Sequence, residues 1–343
     1  MIEVLAMSQD NEEEWDAFVE RSPQGTVFAK SFWLRGFERL APGNEARAIV
    51  VRDGGGSIQA GLPLFVSRSG RRLSAEQPTL TNYISLLFAP RERKDENREA
   101  EWEIGTTGEI IAEIQRARYE SVCLAHVPGL TDVREFIWQG WTVTPRYTYV
   151  RSLDCPDFVA ALSKNHAKNF RKASRAGYTV SMADACLPRL DSFLVIFKNS
   201  LKAIPAAYPR QCRAARAFLH ACGDKGRALL YEAKDARGDV QAARIVWLSC
   251  RGQVLDWLAA TTDAGRADGA TAFLLAQIFE DVRKRGYREF DFGGAGIRPI
   301  AQFKAGFNAK LTPYFATSIE RPRLLNRLKT ALRPWAARWR RRK

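Results

Sequence analysis

Strands that alternate with helices, in two stretches each running from helix-rich to β-meander, predict an α/β (α+β) protein of two tandem halves. Each half is expected to hold a mixed, mostly antiparallel sheet flanked by helices. Three observations carry this reading. β-rich apolar runs are separated by Asp53-Gly54-Gly55-Gly56, Asp235–Gly238 and Arg251-Gly252, where glycine supplies the positive φ of a tight reversal. Helical stretches stop at Gly177 and Gly286, residues suited to the left-handed conformation that ends helices. A chain of 343 residues with 46% hydrophobic content is long enough to bury two cores. The halves are placed at 1–155 and 156–320, with a basic tail at 321–343. No repeat in the sequence itself marks a duplication.

In order, Ile2–Met7 reads as a strand, Glu12–Glu20 and Ser31–Leu40 as helices, and Ala46–Arg52 with Ile58–Val66 as a hairpin. The apolar run Leu80–Ala89 reads as a further strand. Residues 90–104 are strongly charged and read as a loop or the exposed start of a helix towards Arg118. Ser121–His126 and Trp141–Val150 are strands around a helix near Asp132–Gln139. The second half opens with a helix over Phe158–Ala176 and a strand at Tyr178–Met182. Helices near Arg189–Lys202 and Arg210–Cys222 precede three strands, Ala228–Ala233, Val240–Ser249 and Gln253–Ala260. A loop at Thr261–Asp268 leads to a helix over Ala270–Arg285. The chain ends in a short strand at Glu289–Phe292, a loop or short helix carrying Phe303-Lys304, and a strand near Thr312–Ile319.

The net charge of +15, with a pI near 9.8, attracts polyanions: RNA, anionic lipid head groups or the phosphates of a nucleotide-linked substrate. Part of it lies in Arg321–Lys343, ten basic residues without one acid. There Leu324, Leu325, Leu328, Leu332, Trp335 and Trp339 recur at three- or four-residue spacing, an amphipathic basic helix. It either lies on an anionic membrane surface, binds RNA, or packs on the protein's second half. Six scattered cysteines fit a reduced compartment, no apolar run spans a bilayer, and the acidic start lacks a signal core. The expected location is cytoplasmic, with peripheral attachment at the inner face of the membrane left open.

Two segments carry candidate chemistry. Arg266-Ala-Asp-Gly269-Ala-Thr271 precedes a helix whose N-terminal N–H groups favour a phosphate. It is similar to the R/Q-x-x-G-x-G/A loop with which GNAT acetyltransferases cradle the coenzyme A pyrophosphate, with Thr271 where Gly or Ala is usual. The second segment is Phe290-Asp291-Phe292-Gly293-Gly294, followed by Phe303-Lys304 and Tyr314. A strand ending in D-x-G-G, then F-K and an aromatic, resembles the C-terminal half of the FemAB-like transferases of the GNAT superfamily. Gly25–Phe28 leading to Trp33-Leu34-Arg35 resembles that family's early segment, and Lys164–Gly177 resembles the basic helix before its second half. The likeness runs loosely over residues 15–315 and strongly over 286–315.

That resemblance implies two GNAT-like halves and transfer of an acyl or aminoacyl group to an amine. The donor is an acyl-CoA thioester or an aminoacyl-tRNA, with no tightly bound cofactor and no metal. The acceptor is an amine-bearing small molecule or nucleotide-linked precursor of envelope, polysaccharide or secondary metabolism. Lys304 takes the place of the family's stabilising lysine, a cation against a developing oxyanion. Asp291 either orients the amine or caps Gly293-Gly294. Arg266, Gly269 and Thr271 are the candidate donor-binding residues. Arg35, Arg171, Lys172, Arg175, Phe303 and Tyr314 are the candidate substrate contacts. No general base is evident, since His126, His166 and His220 form no nucleophile arrangement. Lys304→Met is expected to leave folding nearly untouched. The other reading is a non-catalytic GNAT-like scaffold that binds RNA or the membrane surface.

Overall fold

The computed structural model describes residues 1–6, 9–70, 72–91, 95–155, 157–200, 207–223 and 227–321. The first half of the chain runs β1 (Ile2–Ala6), α1 (Gln9–Arg21), α2 (Ser31–Glu38), β2 (Asn44–Arg52), β3 (Ile58–Ser69), β4 (Arg72–Ala75), β5 (Leu87–Phe88), α3 (Glu96–Arg116), β6 (Ser121–Ala125), α4 (Arg134–Trp138) and β7 (Thr142–Ser152). The second runs α5 (Lys164–Arg175), β8 (Thr179–Asp184), α6 (Leu187–Ser200), α7 (Ala207–Cys222), β9 (Ala228–Lys234), β10 (Val240–Leu248), β11 (Gln253–Thr261), α8 (Asp263–Asp268), α9 (Ala270–Lys284), β12 (Glu289–Asp291), α10 (Arg298–Ala305) and β13 (Lys310–Glu320).

These strands form one mixed sheet in the order β1-β2-β3-β4-β6-β13-β7-β12-β11-β10-β9-β8, with β5 beside β3. The pairs β4·β6 and β11·β12 are parallel, and the other neighbours are antiparallel. The order therefore reads the same from both ends. Four antiparallel strands and a fifth parallel one occur at each side, β1 to β6 and β8 to β12. Each half then passes its final strand to the other: β7 pairs with β12, and β13 pairs with β6. The expected duplication is visible in topology where the sequence does not carry it.

Packing locks the halves together. Trp33 of α2 is wholly buried, stacks on Phe218 of α7 at 4.0 Å, and meets Trp247 and Trp257 edge-on at 5.3 and 5.8 Å. A Cβ on Gly36 would stand 2.6 Å from the Phe218 ring, so glycine is what lets α2 and α7 touch. A second core under α5 and α9 gathers Phe158, Phe273, Phe279, Phe290 and Phe307.

Several sequence expectations are corrected. Residues 158–163 are not helical: Asp157 accepts the Val159 and Ala160 N–H groups in its own turn, and Ser163 caps a helix that starts only at Lys164. Leu80–Ala89 is extended only at Leu87–Phe88, because Leu80 takes φ +67 and the Gln77 amide holds the Thr81 and Asn82 carbonyls. Thr261–Asp268 is mostly the helix α8, capped by the Thr262 hydroxyl on Gly265 N–H at 2.9 Å. Within the charged 90–104 stretch, whose residues 92–94 lie outside the described residues, the expected helix start is present: α3 begins at Glu96, and Asp95 accepts the Asn97 and Arg98 N–H groups. The basic amphipathic stretch 322–343 lies outside the described residues. Among the described residues no helix is long and apolar enough to cross a membrane.

Candidate functional site

Strands β11 and β12 pair only over Gln253–Leu255 and Glu289–Asp291. Beyond that point β11 continues to Thr261 against β10 on its far side. On its near side the chain turns away through Phe292-Gly293-Gly294. Both glycines have positive φ, +61 and +58, and a Cβ on Gly293 would lie 2.5 Å from the Asn82 amide nitrogen. Glycine is therefore required for the turn. The divergence opens a cavity of about 540 Å³, lined among others by Arg244, Asp256, Arg266, Thr271, Phe303 and Lys304. In the first half the matching pair β4·β6 also holds for only two residues, but there the chain's own segment covers the opening: Ile84 N–H donates to Ala125 O at 2.7 Å.

Lys304 sits in the wall of this cavity on α10. It is buried at 9% exposure, and its Nζ donates to the carbonyls of Phe292 (2.8 Å), Gly294 (2.6 Å) and Gly293. An ammonium has three N–H donors, and here all three are used on the glycine turn. Burial pushes its pKa down, opposed by the carboxylate of Asp256. The expectation that its removal would leave folding untouched is corrected by this geometry. Lys304 holds the turn as well as supplying charge.

Asp291 ends β12 and is also buried. Its Oδ2 accepts from Tyr83 Oη at 2.6 Å, and its Oδ1 accepts from Thr148 Oγ1 at 2.6 Å and Gly293 N–H at 2.8 Å. Burial pushes the carboxyl above its usual range, and these three donors oppose the shift. Of the two roles left open by the sequence, the geometry contains the cap on Gly293. Asp291 faces a second cavity, of about 390 Å³, shared with Tyr83, Gln253, Glu289 and Lys310.

The other sequence candidates separate. Arg266, Thr271 and Phe303 join Lys304 at the larger cavity, with Arg266 also paired to Asp263 at 2.5 Å and Thr271 Oγ1 3.0 Å from Thr261 Oγ1. Gly269 has φ +81, and its close approach is to the protein itself: a Cβ would meet Asn169 O of α5 at 2.5 Å. Lys172 reaches the end of α8, bonding Ala267 O at 2.8 Å and Asp268 at 3.1 Å, while Arg171 and Arg175 stay exposed on α5. Arg35 pairs with Glu12, and neither it nor Tyr314 lines either cavity. Tyr314 packs edge-on against Tyr83 at 5.4 Å, and burial raises its pKa.

One pair went unread in the sequence. Arg244 of β10 and Asp256 of β11 form an ion pair across adjacent strands, their side chains 6% and 7% exposed. The strands slip register here, Ile245 facing Leu258 and Val246 facing Asp256, so Trp257 is an extra residue in a bulge. Arg244 Nε and Asp256 Oδ1 have no protein partner. The available signal was a charge inside each of two apolar strand runs, Ala-Ala-Arg244-Ile-Val and Val-Leu-Asp256-Trp-Leu.

Residues 161–305 match the family model described as Acetyltransferase (GNAT) domain, a span that runs from before α5 through Lys304. No curated protein matches the chain. Among solved structures, FemX superposes with a TM-score of 0.70 at 14% identity, covering 95% of this chain and 99% of its own. L-PGS from Bacillus licheniformis gives 0.57 at 13% identity, covering 96% and 97%. A tandem GNAT protein from the clavulanic acid biosynthesis pathway, solved without AcCoA, gives 0.56 at 16% identity, covering 94% and 99%. The tandem GNAT fold expected from the sequence is the fold of this chain.

Proposed function

We propose that this protein is an N-acyltransferase working in the cavity between β11 and β12, a reading supported by the match of residues 161–305 to a GNAT acetyltransferase domain model and by a fold like that of FemX. The observation that carries the reading is the unpaired edge of β11 beyond Leu255. Amide groups of an extended pantetheine arm match the N–H and C=O groups of such an edge, as an added strand would. Its thioester then lies near Lys304, and its phosphates lie towards Arg266, Thr271 and the N-terminus of α9. The positive charge of Lys304 favours the tetrahedral oxyanion of aminolysis, acting through space because its N–H groups are engaged. The acceptor amine enters the same cavity from the side of Asn82, where the first half of the chain contributes a wall.

An aminoacyl-tRNA donor is the second reading. It is favoured by the exposed basic face of α5, with Lys164, Lys168, Arg171 and Arg175, and by the basic sequence of 321–343. The same tail supports a peripheral position on an anionic membrane. A nucleotide-linked or other small amine acceptor fits either donor.

The deciding measurement offers purified protein acetyl-CoA, longer acyl-CoAs and charged tRNA in turn, each with a mixture of primary amines. Free thiol or deacylated tRNA is followed together with product mass. The expected result is amine-dependent release of coenzyme A and a product heavier by the acyl group. Protection against thermal unfolding without turnover of any donor would favour the non-catalytic scaffold.

A further inference from the structure

We propose that the face of the sheet left bare between α4 and α10 is a docking surface for an anionic lipid bilayer, which it meets with aliphatic and aromatic side chains flanked by lysine and arginine. Binding of this kind needs no substrate, so it stands apart from the transferase reading above.

Register on β7 and β13 defines the face. Tyr147 pairs with Pro313 and Tyr149 with Leu311, so Pro145, Tyr147, Leu311 and Pro313 project to one side of the sheet. All four are exposed. At one end the segment 292–295 runs beside β7, with Phe292 N–H on Tyr149 O at 2.9 Å and Ala295 N–H on Tyr147 O at 2.6 Å. It leads into Ile297 and Ile300, three residues apart at the start of α10. At the other end Thr317, of the same parity on β13, lies 3.0 Å from His126, whose ring packs on Phe136 of α4 at 5.1 Å. Ten large apolar side chains are exposed among the described residues, and six of them belong to this face or to the helices at its ends. They are Ile137, Trp138, Tyr147, Ile297, Ile300 and Leu311, each 45% to 62% exposed. Apolar residues scattered singly over a surface are ordinary, but such a gathering marks a contact.

Charge decides what covers the face. β7, α5 and the whole stretch 292–319 contain no Asp or Glu. α5 flanks α10, the His166 ring standing 5.1 Å from that of Phe303. Its Lys164, Lys168, Arg171 and Arg175 are exposed and make no ion pair among the described residues, and Arg298 is exposed on α10. Lipid phosphates attract such cations, while aliphatic side chains sink below them and Trp and Tyr settle at head-group depth. RNA would use the cations and the two rings. It would leave Ile137, Ile297, Ile300 and Leu311 idle, since bases stack on aromatic side chains rather than aliphatic ones. The basic tail 321–343, or a second copy docked by the same face, would bring like charge to like charge. Pro299 and Ile300 also line the larger cavity, so docking brings its entrance to the lipid head groups.

The test is flotation of the full chain with vesicles of phosphatidylglycerol and phosphatidylcholine, without substrate. Binding is expected, weakening as salt is raised and much weaker on phosphatidylcholine alone. The triple variant Tyr147→Ser, Ile297→Ser, Leu311→Ser should bind at least about tenfold more weakly, because it removes apolar contacts at the interface. Val195→Ser removes an exposed side chain of α6, which packs on the other core, and should bind like the wild type. Lys168→Glu with Arg171→Glu changes only exposed helix positions, so it keeps the test open if the triple variant folds poorly. It should lose at least about fivefold in affinity at low salt and little at high salt. A wild-type chain that ignores anionic vesicles overturns the proposal. So does a folded triple variant that binds them as tightly as the wild type, which would assign the binding to the tail. Loss of tRNA affinity in the triple variant with vesicle binding intact would give the face to RNA. A wild-type dimer that the triple variant breaks, with no vesicle binding by either, would give it to a second copy.

Discussion

Lys304 and Asp291 are adjacent in purpose, since both hold the Phe292–Gly294 turn, one by its carbonyls and the other by an N–H. Lys304→Met strips three carbonyls of their donor, of which that of Phe292 is buried, and an unsatisfied buried polar group costs ~1–3 kcal/mol. The variant should therefore melt several degrees lower in a thermal scan. Its turnover should fall by about a hundredfold, the effect of removing one oxyanion-stabilising group. Lys304→Arg should recover stability only in part, because a planar guanidinium cannot point three donors at carbonyls clustered around one nitrogen. A Met variant with unchanged melting temperature would contradict the hydrogen bonds described for Nζ.

At the scale of elements, the site is made by two strands that begin together and part. Two glycines allow the parting, because only residues tolerant of φ near +60 can turn β12 away so sharply. Gly293→Ala meets both costs at once, the left-handed backbone (~1 kcal/mol) and the contact with Asn82 at 2.5 Å. It should lower stability and transfer rate together. Pairing it with Asn82→Ala removes the steric part, so the double variant should recover some stability and leave the backbone part behind. Calorimetry on the two variants separates these contributions. The result fails the argument if Gly293→Ala is as stable as the wild type.

For the whole molecule, the exchange of β7 and β13 makes one cooperative sheet from two halves. His126 stands at this exchange: its N–H donates to Phe315 O at 2.9 Å, and its Nε2 is 3.0 Å from Thr317 Oγ1, both on β13. Complete burial lowers its pKa from 6.5 to about 3. Between those values the unfolded chain binds a proton that the folded chain refuses, so stability rises with pH through the window and is lost as pH falls. The loss is ~1.4 kcal/mol for each pH unit below 6.5, so the melting temperature should drop clearly from pH 7 to pH 5. Burial shifts His166 in the same direction. His126→Gln should consequently flatten the acid slope in part, and an unaltered slope would show that His126 does not control it.

The kind and order of most elements were legible in the sequence, because helix and strand periods and glycine stops are local properties. The Phe303-Lys304 segment, the Asp291 strand end and the Arg266–Thr271 loop were legible as candidates for the same reason. Side-chain alternation states that Asp291 and Asp256 each leave a strand, but not what stands opposite. Tyr83 and Thr148 lie 208 and 143 residues from Asp291 in sequence, and they fill one carboxylate while the other keeps an oxygen without a protein partner. Local pattern likewise identified β13 as a strand but could not place it, since an antiparallel strand of suitable length pairs equally well at either side. The tertiary structure decided its place between β6 and β7, with one splayed pair covered by the chain's own segment and the other opening on a cavity. The physical reason is that pairing and burial depend on residues far apart in sequence, whereas period and turn depend on neighbours.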